Sequence, residues 1–362
     1  MRKRRVLRWV GVVGVLLLLV TAVPVFAIEV ACRAPGPVNR PTVGRFGITD
    51  AEYLLPLTNS VLSYPEWYIV YAYQDFAAIL QDADEAAFPY FHSIVDYWTG
   101  FCAANRIASA QGGGELNEKI MLYVIGLSFT LELAAKGAYE TTIGRLSARV
   151  RGPEKTTEDK LAASVAEDYA NFLQQRPWYE FSFPSQVRRL LYDTPYGHST
   201  FRAIERRFAL TSEWTFKTGY AWMIRGGAEL DPAVPQIQSV VRGLDASDLG
   251  PGTDITLRRD LGAGLTLIVT PRYAAFTRIL ARLAMQGREV LEIAGNDTIV
   301  LTALIPPGDD LTLTNTRVIF TYPVRSRPGW QREGMLVAVP SLGQTIRQIQ
   351  ARGGVLEHVY DY

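Results

Sequence analysis

The sequence predicts an α+β protein tethered to a membrane, on three observations. An uncharged run from Trp9 to Ile28 follows a basic patch of Arg2, Lys3, Arg4, Arg5 and Arg8. Between Ser63 and Gly227, apolar and aromatic residues recur at helical spacing. Beyond Pro235 the period shortens, and β-rich runs alternate with turns. The expected organisation is a signal-anchor transmembrane helix at 1–30, an extended Pro-rich neck at 31–62, a helical aromatic-rich domain at 63–230 and an α+β sandwich domain at 235–362.

The anchor rests on length. About 20 apolar residues span a hydrocarbon core roughly 30 Å thick, and Val10 to Val20 forms the centre of such a run. Basic residues stay on the cytoplasmic side. This reading places Arg2 to Arg8 inside and Glu29 onward outside, in a single-pass inner-membrane protein with its domains in the periplasm. The competing reading is a cleaved signal peptide, with Val25-Phe26-Ala27 as its cleavage site. Its apolar run is longer than the usual signal-peptide core of about 7–15 residues. Five of the 37 basic residues precede Trp9, which leaves 32 against 36 acidic ones, a net charge of −4. That balance excludes a nucleic-acid protein, whose affinity comes from a basic face. Cys32 and Cys102 face an oxidising compartment in this topology, where a disulfide between them can persist. The alternative is two unpaired thiols, one of them buried as a small hydrophobe.

Along the chain, Arg33 to Val43 is Pro-rich and reads as the neck. Ser63-Tyr64-Pro65-Glu66 has the pattern of a capping box and predicts a helix from Ser63 to about Asp82. A second helix is expected from about Glu85 to Ile107, before the break at Gly112-Gly113-Gly114. A third, uncharged from Ile120 to Leu131, reads as a buried core helix, with a second membrane segment as its competitor. Further helices are predicted from Thr157 to Phe172, His198 to Leu210 and Ser212 to Ile224.

Strands are expected at Ile237 to Arg242, Asp254 to Arg258, Thr266 to Thr270, Glu289 to Ile293, Thr298 to Ile305, Arg317 to Tyr322, Met335 to Val339 and Val355 to Tyr360. Two helices interrupt them. One, from about Tyr273 to Gln286, puts Phe276, Ile279, Leu280 and Leu283 opposite Arg278 and Arg282, with Gly287 as its stop. The other starts at Ser341, with Gln344 completing a capping box, and ends at Gly353-Gly354. From Thr266 onward this is the order of a ferredoxin-like α/β sandwich with an inserted hairpin. No repeat is legible in the sequence.

Chemistry-bearing residues are few. His92 and Asp96 are four apart on one helical face, a spacing that could orient an imidazole as a base. Glu132, Lys136 and Glu140 share a face and read as the wet stripe of a mostly buried helix. Glu132 borders an apolar run, where burial would fit it to act as an acid or proton relay. These make His92, Asp96 and Glu132 the catalytic candidates. His198 sits near a helix start beside Ser199 and Thr200, which read as caps, and His358 alternates with Leu356 and Tyr360 on a strand. Three scattered histidines do not make a metal site. Gly262-Ala263-Gly264 and Gly112-Gly113-Gly114 lack the rest of a phosphate-binding fingerprint. Neither a cofactor nor a metal is expected.

The expected function is binding or assembly in the cell envelope without catalysis. Its partners are the membrane, reached through the N-terminal helix, and another envelope protein. The alternative is an enzyme or carrier acting on a small apolar or lipid-like ligand held among the aromatic helices.

Overall fold

A computed structural model describes residues 22–34, 36, 44–228, 236–250, 252–308, 313 and 315–362. The basic patch, the centre of the expected anchor, residues 35 and 37–43 of the Pro-rich neck and residues 231–235 lie outside the described residues. The chain is α+β: helices fill its first part and two antiparallel four-stranded sheets its last.

A short helix α1 (Ala22–Ala31) comes first. Helix α2 (Leu57–Asp82) starts six residues earlier than the expected cap at Ser63, leaving Pro65 in its interior. A proline inside a helix costs about 3 kcal/mol. The extra turns bury Ser60, Val61 and Leu62, and Ser63 donates to the Asn59 carbonyl instead of capping. The expected second helix is cut at Pro89. Phe88, held extended by the following proline, separates a 3-10 turn (Glu85–Ala87) from α3 (Tyr90–Ala110). Helix α4 (Leu116–Tyr139) starts with a capping box of Glu115 and Glu118. It runs through a π turn (Glu140–Gly144) into α5 (Arg145–Arg151), which ends at Gly152 with φ +86°.

Helices α6 (Thr157–Leu173) and α7 (Phe183–Arg188) follow. Then comes α8 (Thr200–Ala228), one continuous helix where two were expected. Ser212, the expected second start, turns its hydroxyl back to the Phe208 carbonyl, a bond that lets serine sit inside a helix.

The last part of the chain contains a repeat that its residues conceal. Strands β1 (Gln236–Arg242), β2 (Thr256–Gly262) and β3 (Leu265–Pro271), helix α9 (Ala274–Met285) and strand β4 (Glu289–Ile293) form a sheet of order β2-β3-β1-β4. Strands β5 (Thr298–Ile305), β6 (Thr316–Pro323) and β7 (Gln331–Ala338), helix α10 (Leu342–Ala351) and strand β8 (Val355–Tyr360) then form a sheet of order β6-β7-β5-β8. The two units have the same element order and the same pairings. Their irregularities also coincide. The β1–β4 and β5–β8 ladders each skip one residue, Leu291 and Glu357, and the β2–β3 and β6–β7 ladders skip Arg258 and Ile319; β2–β3 skips Leu261 as well.

This arrangement corrects the ferredoxin-like expectation. That fold needs one sheet, but β3 and β4 flank β1 in the first sheet while β5 and β8 pair in the second. The order of elements from Thr266 suits either topology, and the pairings of β1 and β5 decide. The expected cap at Ser341 also fails. Ser341 is helical in backbone, and its hydroxyl accepts from Asn315 Nδ2 at 3.0 Å.

The two units enclose one core. Val241, Ile268, Phe276 and Leu283 of the first unit meet Leu301, Met335, Ile346 and Val359 of the second. The other face of the second sheet is not free. Val300, Leu336 and Tyr360 alternate with core residues along their strands and join the aromatic cluster of the helical part. There Tyr64 stacks on Phe320 at 3.9 Å, and Ser60 bonds both the Tyr360 carbonyl and the Val300 amide. Part of the expected neck is folded too: Ile48 packs on Val240 and Leu267.

Candidate functional site

The densest polar chemistry lies inside the helical part, where α8 runs antiparallel beside α4 and α5. Their contacts descend in step. Arg202 reaches the Gly144 carbonyl at 3.1 Å, and Arg206 grips Glu140 with two bonds of 3.0 Å. Lys136 donates to both oxygens of Glu213 at 3.0 and 2.9 Å, Lys217 meets Glu132 at 2.8 Å, and Tyr220 bonds Ser128 at 2.6 Å. Glu132, Lys136 and Glu140 are therefore not a wet stripe. They face the charges of α8, because those charges face them.

The arginines are saturated. Arg202, fully buried, also binds Asp159 at 2.8 Å, Glu85 at 3.0 Å and Glu205 at 3.0 Å. Arg206, also fully buried, adds Glu85 at 3.1 Å and Glu205. Arg207 binds Glu158 at 3.1 Å and the carbonyls of Leu190 and Thr194. Desolvating an ion costs several kcal/mol, and only close partners on its remaining hydrogen-bonding positions offset that. Burial alone would raise the Asp159 carboxyl, but Arg202, Arg151 and Thr156 outweigh it and hold the group below the usual carboxylate range. Asp84, Glu85 and Asp159 bring oxygens within 4.8 Å of one another, yet Arg151 and Arg202 already neutralise them.

A cavity adjoins this network, lined among others by Tyr73, Phe76, Lys136, Glu140, Glu213 and Lys217. Its volume of about 30 Å³ has room for one or two waters. Glu132 stands beside it, bonded by the Tyr73 hydroxyl at 2.6 Å and by Lys217.

The other candidates lie apart. His92 is exposed on α3, and Asp96 pairs with Arg325 of the sheet region instead of an imidazole. His198 is exposed ahead of α8. His358 is buried on β8, stacked on Trp67 at 3.7 Å with Nδ1 3.3 Å from the Thr277 hydroxyl. Burial pushes its imidazole down to about 3, so it is neutral at ordinary pH. Cys32 and Cys102 are joined by a disulfide.

Sequence reasoning missed Arg202, Glu205, Arg206, Glu213 and Lys217. One signal could have found them. Arg202, Arg206, Glu213 and Lys217 recur at helical spacing on the face opposite Phe201, Ile204, Phe208 and Phe216. That pattern gives two faces without saying which is inside. No family model, curated protein or solved structure matches this chain.

Proposed function

We propose that the protein is a single-pass envelope protein, anchored by the apolar segment at 1–30 in the inner membrane with its folded part outside, and that it binds or assembles partners without catalysis. One observation carries this reading. The charged groups of the helical part are paired to each other inside, while large apolar side chains are left outside: Phe208 is 67 %, Phe216 73 % and Trp222 79 % exposed. Such a surface fits association with an apolar partner. A carrier of small apolar molecules needs a pocket of about 300–1,000 Å³, and the cavity beside Glu132 is an order of magnitude smaller. The disulfide accords with the extracytoplasmic side.

The test compares two sets of variants in cells, with protein level as control. His92→Ala and Glu132→Gln should leave any cellular phenotype of the gene intact. Phe208→Asp with Phe216→Asp should abolish it at normal protein level. Complete loss of phenotype with an accumulated Glu132→Gln protein would instead assign Glu132 a chemical role. Alkaline phosphatase fused after Gly36 should be active if the topology is right.

A further inference from the structure

We infer that the outer faces of α4–α5 and α8 seat the protein flat on an anionic lipid bilayer, an inference that rests on the membrane reading above. The two helices lie side by side, as their five successive contacts show, and their outer surfaces form one face. On α4, the π turn and α5 it carries Ile120, Met121, Val124, Leu131, Ile143, Leu146 and Val150; on α8 it carries Phe201, Ile204, Phe208, Phe216, Trp222 and Met223. All are exposed. No charged residue is exposed between Asn117 and Arg145, or between Thr200 and Arg225. At 1.5 Å per residue each stretch without an exposed charge is roughly 35–40 Å long. Two helices side by side, each about 10–12 Å across, make a face roughly 20 Å wide. That exceeds the largest apolar patch of an ordinary monomer, about 300–600 Å².

Three further observations select lipid as the occupant. First, the exposed charges at the edges are arginines, apart from Glu115 at the start of α4, which lies 3.9 Å from Arg33. Arg145, Arg149 and Arg225 are exposed, while the carboxylates of both helices are all bonded within the protein: Glu118 to the Gly114 amide, Glu132 to Lys217, Glu140 to Arg206, Glu205 to Arg202 and Glu213 to Lys136. A rim of cations complements anionic headgroups and repels a second copy carrying the same rim. Second, the chain reaches the fold beside α4. Helix α1 lies antiparallel to α4, through Arg33 to Glu115 at 3.9 Å, Glu29 to Lys119 at 2.6 Å and the Tyr123 hydroxyl to Glu29 at 2.5 Å. It adds exposed Val23, Phe26 and Val30. Third, the geometry is in-plane. Leu116–Arg151 is long and apolar enough to cross a membrane by length and composition. Yet α6, packed beside α8, exposes Lys160, Glu167 and Asp168. A crossing bundle would place these in hydrocarbon, whereas a bundle lying on the surface keeps them in water.

The test uses the full chain in proteoliposomes, with single cysteines introduced as Leu146→Cys, Phe208→Cys or Phe216→Cys and labelled with bimane. The native cysteines are bonded to each other, so the label goes to the new thiol. Leu257→Cys, exposed on β2, is the reference. Lipids brominated on the acyl chain should quench the three helical labels several-fold more than the reference, and the excess should shrink when Arg145→Gln and Arg149→Gln are combined or when phosphatidylglycerol is replaced by phosphatidylcholine. Quenching equal to the reference, with aqueous iodide reaching all four sites, would overturn the inference. So would efficient Phe216→Cys to Phe216→Cys cross-linking in dilute vesicles, which would assign the face to a second copy. Alkaline carbonate extraction separates this from the anchor. Release of the chain together with retained acyl-chain quenching before extraction would sink the anchor and uphold the face. Retention without quenching would do the reverse.

Discussion

Helices α8 and α9 are both amphipathic, but they differ in where their charged and apolar residues lie. Helix α9 buries Phe276, Ile279, Leu280 and Leu283 and exposes Arg278. Helix α8 buries Arg202, Arg206 and Lys217 and exposes Phe201, Phe208 and Phe216. The first arrangement is what water selects. The second is stable because each buried cation meets carboxylates and because Leu210 and Trp214, on the same helix, pack in an apolar cluster with Val165 and Phe183. Periodicity therefore reports that a helix has two faces, and the surroundings decide which of them is outside.

The comparison can be broken most completely by separating the two regions. A fragment from 236 to 362 keeps the conventional core of the two sheets but strips Tyr64 and Ser60 from the outer face of the second. It should fail to give a cooperative melt, and a soluble fragment with a sharp transition would show that the sheets do not need the helices. Next in size is the inverted interior itself. Removing the guanidinium in Arg206→Ala leaves Glu85, Glu140 and Glu205 in a buried cluster with one cation fewer, and should cost about 3–5 kcal/mol in urea unfolding. The matched change in the conventional half, Arg242→Ala, breaks the exposed pair with Glu289 and should cost under about 1 kcal/mol. Equal losses would mean that the interior network is no more important than a surface pair.

A smaller effect tests the seam between the halves. The His358 imidazole is held down to about 3 by burial, against roughly 6.5 in the unfolded chain. Between those values the unfolded state binds a proton that the folded state refuses, so stability is complete above about pH 6.5 and falls as pH drops toward 3. At pH 5 the loss from this group should be about 2 kcal/mol. His358→Gln should remove that slope between pH 6.5 and 5, and an unchanged slope in thermal melts would place the acid sensitivity elsewhere.

What could be read beforehand follows the same division. The apolar stripe of α9, its stop at Gly287 and the eight strands were legible because alternation and caps are local signals. The inserted proline of α2 was not, since Pro65 argues for a helix start and only the burial of Val61 and Leu62 against distant strands overrides it. The repeated unit stayed hidden for a related reason. Leu280 and Ile346, Leu283 and Ile349, and Gly287 and Gly353 are each 66 residues apart and play matching roles, yet strands and helix stripes ask only for apolar residues at a period, which many sequences satisfy. For the site, Glu132, Lys136 and Glu140 stood out as a stripe, but their partners Lys217, Glu213 and Arg206 lie 66 to 85 residues further on. No local pattern connects them.

The bond between Cys32 and Cys102 has a mechanical meaning as well. It ties the segment leading into the fold to the middle of α3, 70 residues along the chain. Tension arriving through Ala31 passes across the sulfur atoms into α3 and its aromatic neighbours. It bypasses the loop that packs on β1 and β3 and all of α2. Lateral drag on the N-terminal segment would thus be borne by the centre of the helical bundle.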